Sequence, residues 1–218
     1  MIQRKYFFDC VRGWLFAGSL TQDQVDGMTV LLDYADDEGV DDRQLAYVLA
    51  TTFHETAKTM QPIAEYGKGQ GKPYGVPDPT TGETYYGRGY VQLTWKTNYE
   101  KQDQKLGLNG TLVATADRAL EPELAVLILF EGMRDGDFTG MALPDYVNDT
   151  QTDWYNARKV VNALDKASVI EGYAEQFSAA ITHGAEAPRP VPPPEPPNQP
   201  INITVPPGST VTITVTAA

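Results

Sequence analysis

Hydrophobic periodicity runs through most of this sequence and stops between Gln61 and Gly89. Pro62, Pro73, Pro77 and Pro79 fall there among a dense set of glycines, a composition that breaks helices and leaves no period of either kind. So long a structureless stretch inside an otherwise ordered chain is usually functional. Two informative segments bracket it. Ahead of it, a helical pattern from Asp42 to about Met60 sets Leu45, Val48, Leu49, Thr52 and Phe53 on one stripe, with Asp41 or Asp42 as its cap. Behind it comes Tyr85-Tyr-Gly-Arg-Gly-Tyr-Val-Gln-Leu-Thr-Trp-Lys-Thr-Asn98. The fold must gather a helix end, a long irregular loop and a short extended segment, which together read as the floor and walls of a cleft.

The remaining elements support that cleft. Tyr6, Phe7, Cys10, Val11, Trp14 and Leu15 recur at helical spacing over residues 4–16. Thr21-Gln-Asp-Gln24 has the form of a capping box ahead of Val25, Met28, Leu31 and Leu32, and the acidic run Asp33–Asp42 reads as a loop. Tyr90–Trp95 reads as a short strand and Thr97–Leu106 as a helix. Glu121-Pro-Glu opens an almost wholly apolar run, which predicts the central buried helix. Helices are also expected over residues 153–163 and 166–183, the last with Val169, Ile170, Tyr173, Phe177, Ala180 and Ile181 as its stripe and Gly184 as its C-cap. The fold class is therefore mainly α over residues 1–186. A stiff Pro-rich linker follows over residues 187–200. Residues 201–218 alternate apolar residues with Thr or Asn across Pro-Pro-Gly-Ser, a β-hairpin-like tail suited to oligomerisation or attachment.

Composition narrows the partners. A hydrophobic share of 41% and a charged share of 21% are ordinary for a globular chain. No apolar run nears the roughly 20 residues that cross a bilayer, so no membrane insertion is expected. The first residues carry no secretory leader pattern, and the one cysteine fits synthesis in a reducing cytoplasm. A net charge of -12 argues against nucleic acid and anionic membrane as partners. His54-Glu-Thr-Ala-Lys58 begins like a zinc-protease helix, but Lys58 stands where the second histidine belongs, so the metal reading fails.

Two acids lie in the cleft segment. Glu55 sits near the expected helix end, where the negative end of the dipole and the flanking Phe53 and His54 favour a protonated carboxyl. Glu65 lies beyond Pro62 on the loop. Cleaving a glycosidic bond takes such a pair, one carboxyl to protonate the leaving oxygen and one to activate water or attack the sugar. Glu83 is a rival for the second role.

Phe53-His-Glu-Thr-Ala, followed by Tyr85-Tyr-Gly-Arg-Gly-Tyr-Val-Gln-Leu-Thr-Trp-Lys-Thr-Asn-Tyr, resembles glycoside hydrolase family 19, and within it the bacteriophage endolysins more than the chitinases. The resemblance spans about residues 1–185. It implies a lysozyme-like helical domain with a two-lobed cleft. It also implies an inverting, cofactor-free hydrolysis of β-1,4 bonds in peptidoglycan or chitin strands. By it Glu55 is the general acid, Glu65 the general base, and Thr94 the hydroxyl that holds the attacking water. His54, Gln92, Trp95 and Asn98 become substrate contacts, and Tyr85 and Tyr86 sugar-stacking platforms. Two departures stand out: the disulfide cysteines of plant members are absent, and the family's late Ile-Asn-Gly-Gly segment survives only as Val160-Val-Asn-Ala-Leu164, with Asn162 as its cleft residue.

Overall fold

The computed structural model describes residues 2–186, with side chains to His183. The linker and tail expectations lie outside the described residues. Within them the chain is mainly α-helical: α1 (Arg4–Trp14), α2 (Gln22–Glu38), α3 (Asp42–Glu55), α4 (Lys96–Lys105), α5 (Thr111–Ala114), α6 (Pro122–Asp135), α7 (Trp154–Ala157) and α8 (Ala167–Glu186). Four two-residue strands form two antiparallel pairs, β1 (Ile63–Ala64) with β2 (Arg88–Gly89) and β3 (Val147–Asn148) with β4 (Gln151–Thr152).

The capping box at Thr21 forms: its hydroxyl accepts from the Gln24 amide at 3.2 Å, and the Gln24 side chain accepts from the Thr21 amide at 3.0 Å. α2 then runs through the acidic stretch to Glu38, where a loop was expected. Leu31, Leu32 and Ala35 are buried on its inner side. On its outer side Arg4 of α1 binds Asp33 at 2.9 Å and Asp36 at 2.7 Å, offsetting the like charges. Gly39, in a left-handed conformation, ends the helix.

The centre of the fold is α3 rather than α6. Nine consecutive residues, Leu45 to Phe53, are buried, so the helix is covered on every side. α8 packs along it, with Phe53 edge-on to Tyr173 at 4.8 Å and to Phe177 at 6.0 Å, and Phe177 stacked against Phe7 of α1 at 6.4 Å. Each such phenyl contributes about 1.5–3 kcal/mol by leaving water. Ile170, Phe177, Ala180 and Ile181 are buried as the stripe predicts, whereas Val169 faces outward. Gly184 lies inside α8, not at its cap.

α3 stops at Glu55, short of the expected Met60. The Thr56 hydroxyl donates back to the Thr52 carbonyl at 2.7 Å, and the Lys58 amide closes onto the Phe53 carbonyl at 2.8 Å. Ala57 and Lys58 are left-handed there, so a reverse turn ends the helix well before Pro62. The expected strand over Tyr90–Trp95 is mostly turn, because Gln92 is left-handed (φ 54°) and folds Leu93 back onto Arg88. The segment 153–163 is a single α-turn, α7, followed by a tight 3-10 turn over Arg158–Val160.

Candidate active site

The premature end of α3 makes Glu55 the last helical residue. It opens into a cleft of about 540 Å³, which also takes Gln92, Thr94, Trp95 and Asn98 from the segment after β2, Asn162, and Tyr74 and Phe138. Six of the ten expected site residues thus share one cavity.

Glu55 does not stand alone. The Arg158 guanidinium, only 2% exposed, donates to its Oε1 at 2.8 Å and through Nε to the Asp165 carbonyl at 3.0 Å. This charge-assisted bond fixes the carboxylate's orientation. His54 is half-buried, and burial holds its imidazole below the ordinary value. It is not among the residues that line the cleft.

Glu65 follows β1 directly, and its amide donates to the Gly87 carbonyl at 2.7 Å. Its carboxylate accepts from the Tyr74 hydroxyl and the Gly87 amide, both at 3.3 Å. Desolvation, and then the Glu65 charge, raise the Tyr74 phenol above its ordinary value, so Tyr74 keeps its proton and donates. Tyr74, rather than Glu65, is the residue of this pair that lines the cavity. Glu83 belongs to a separate turn closed by the Asp78 amide on its carbonyl at 2.8 Å, and it does not line the cleft.

Thr94 donates its hydroxyl proton to the Gln92 carbonyl at 2.7 Å. Its remaining capacity is that of an acceptor, so a water bound to it presents a proton to Thr94 and its lone pairs elsewhere. Asn98 donates to the Thr94 carbonyl at 2.7 Å, and Gln92 to the carbonyls of Ile63 at 3.1 Å and Gly89 at 3.3 Å. These amides therefore shape the segment that carries Thr94. Asn162 is exposed at the cleft, its side-chain oxygen accepting from the Ala163 amide.

Tyr85 and Tyr86 are not stacking platforms, for they are only 3% and 7% exposed. The Tyr85 hydroxyl donates to the Val113 carbonyl at 2.9 Å, and its ring packs edge-on against Tyr99. The Tyr86 face is covered by the Arg88 guanidinium, 3.6 Å from its centre. The open aromatic face belongs to Trp95, 48% exposed and edge-on to Tyr74 at 5.1 Å.

Phe138, on the far wall, rests over Gly132 of α6, where an added Cβ would lie 2.2 Å from the ring. Sequence reasoning missed Arg158, Tyr74 and Phe138. The only available signal was for Tyr74, an aromatic residue within the aperiodic loop. Among the described residues, no group of three or more His, Cys, Asp or Glu side chains is placed to hold a metal ion.

No protein-family model matches the chain, and no curated protein matches it. Among solved structures it is similar to a chitinase C mutant, with 19% identity over 83% of this chain and 92% of that one and a TM-score of 0.49.

Proposed function

We propose that this protein is a glycoside hydrolase that cuts β-1,4 bonds between N-acetylhexosamines, with bacterial peptidoglycan as its polymer and the lysis of a bacteriophage host as its setting. In this reading it is made in the host cytoplasm and acts on the wall after release. One observation carries the chemistry: a single cleft receives the Glu55 carboxylate, the Thr94 hydroxyl and an exposed indole. The family resemblance of the segments 53–57 and 85–99 supports it.

In this mechanism Glu55 protonates the leaving oxygen while water attacks from the opposite face. Thr94 accepts one hydrogen bond from that water, and Glu65 takes the proton as the water adds. An inverting pair of carboxyls stands roughly 6.5–9.5 Å apart to leave room for the water. Trp95 offers its face to a sugar ring, and the Arg158 contact keeps Glu55 aimed along the bond.

The test is clearing of outer-membrane-stripped Gram-negative cells beside hydrolysis of chitin oligomers, by wild type and Glu55→Gln. The amide cannot give up a proton, so a loss of about 10²–10⁴ in rate is expected. Activity retained within a few fold, or a product of retained anomeric configuration, overturns the reading. Faster cleavage of chitin than of peptidoglycan transfers the substrate to chitin. Binding of wall material without any cleavage makes the protein a wall-binding module.

A further inference from the structure

Glu55 is the last member of a column. Tyr47, Thr51 and Glu55 follow one another at four-residue steps along one face of α3. Helical side chains lean toward the N-terminus, so Glu55 leans back over Thr51 and Thr51 over Tyr47. Arg158, which binds Glu55 at 2.8 Å, comes to this column from the 3-10 turn after α7. We propose that Tyr47 and Thr51 are positioning residues for the acid, their hydroxyls holding one internal water that braces the Arg158 guanidinium against Glu55. The proposal rests on the glycosidase reading above.

Three observations carry it. Tyr47 and Thr51 are both 0% exposed, and among the described residues neither hydroxyl has a hydrogen-bond partner in the protein. Buried hydroxyls in folded proteins are paired, by ordered water where no protein group reaches them. Arg158 is the natural third member, because its bonds to Glu55 and to the Asp165 carbonyl engage only part of a guanidinium's N–H donors. The groups also lie within electrostatic reach of one another. Burial raises the Tyr47 phenol, so it keeps its proton, and Arg158, Thr51 and Glu55 then act on it in that order. A water touching both hydroxyls and the guanidinium has about three partners, the usual number for a buried water. Such a bridge gives the guanidinium a further anchor beside the Asp165 carbonyl, fixing its plane and with it the Glu55 carboxylate. Neither Tyr47 nor Thr51 lines the cleft, so both act through Arg158 and not on the glycan.

Tyr47→Phe and Thr51→Val each delete one hydroxyl and keep the shape of the side chain. On whichever of peptidoglycan or chitin oligomers is cleaved, each lowers kcat about tenfold, less than the roughly 10²-fold that an ångström-scale misplacement can cost. KM stays at the wild-type value. Thr51→Ser, which keeps the hydroxyl, retains the wild-type kcat. The Tyr47→Phe/Thr51→Val double variant loses no more than either single one, because the same water is lost only once. Urea unfolding confirms that kcat is compared among folded proteins, and a high-resolution crystal structure of wild type shows the water on Tyr47, Thr51 and Arg158. Wild-type kcat in both deletion variants, a loss that Thr51→Ser shares, or a loss carried by KM overturns the positioning role alone. So does a direct bond between the two hydroxyls with no water on Arg158. No hydrolysis of either polymer by wild type overturns the glycosidase reading and the positioning role with it.

Discussion

Arg158→Met is the most exacting test of how the cleft is held. The guanidinium is 2% exposed and its partner Glu55 17%, so the ion pair is largely removed from water. Removing one member of a buried pair typically costs 3–5 kcal/mol, because the other charge is left without compensation. Glu55 keeps some solvent, which places the cost near the lower end, at about 3 kcal/mol. For a domain of this size that lowers Tm by roughly 6–12 °C. Glu55→Gln is milder, since its amide oxygen still accepts from Arg158. The double variant has no orphaned charge and is therefore more stable than the sum of the single losses implies, by about 1–3 kcal/mol. Urea unfolding of the four proteins, followed by far-ultraviolet circular dichroism with m-values compared, measures this coupling. A Tm for Arg158→Met within about 2 °C of wild type, or a cycle additive within about 0.5 kcal/mol, refutes a structural dependence of Glu55 on Arg158.

Three further outcomes follow from the geometry. Thr94→Ser retains activity, whereas Thr94→Val loses about one to two orders of magnitude in kcat, the scale of one hydrogen bond to a reacting group; equal activity of the Val variant removes Thr94 from the chemistry. Asp103, 4% exposed, accepts from the amides of Gly110 at 2.6 Å and Leu112 at 2.7 Å, so Asp103→Ala leaves two donors unpaired and costs about 2–4 kcal/mol in urea unfolding. Burial lowers the His54 imidazole in the folded state, so on acidification the unfolded chain binds the proton first. That stabilisation is complete above about pH 6.5 and declines as pH falls toward the lower folded-state value; His54→Asn flattens the slope of the urea midpoint between about pH 7 and 5, and an unchanged slope refutes the assignment.

Local signals read well from the sequence and pairings across the chain did not. The Thr21 capping box, the Asp41 cap, Pro122 at the start of α6 and the α8 stripe each lie within a few residues of what they determine. The acidic residues of α2 look like loop in the sequence, because the Arg4 that neutralises them lies 29 residues or more away. α3 is shorter than its pattern because a hydroxyl-bonded reverse turn, not Pro62, ends it. Glu55 and Thr94 were legible through their local segments, but Arg158 was not, since it meets Glu55 across 103 residues. The burial of Tyr85 and Tyr86 is hidden for a related reason: an aromatic residue in a loop looks available until Val113 and Arg88 close over it.

Gly132 touches no ligand and lies on α6, behind the wall of the cleft. Its missing side chain is the space in which Phe138 rests, so a methyl group there displaces the ring toward the cavity. The gauge of the cleft is thus written in a helix that lines none of it. A single carbon added at Gly132 would reach the cleft through the Phe138 ring, with Glu55, Glu65 and Thr94 left as they are.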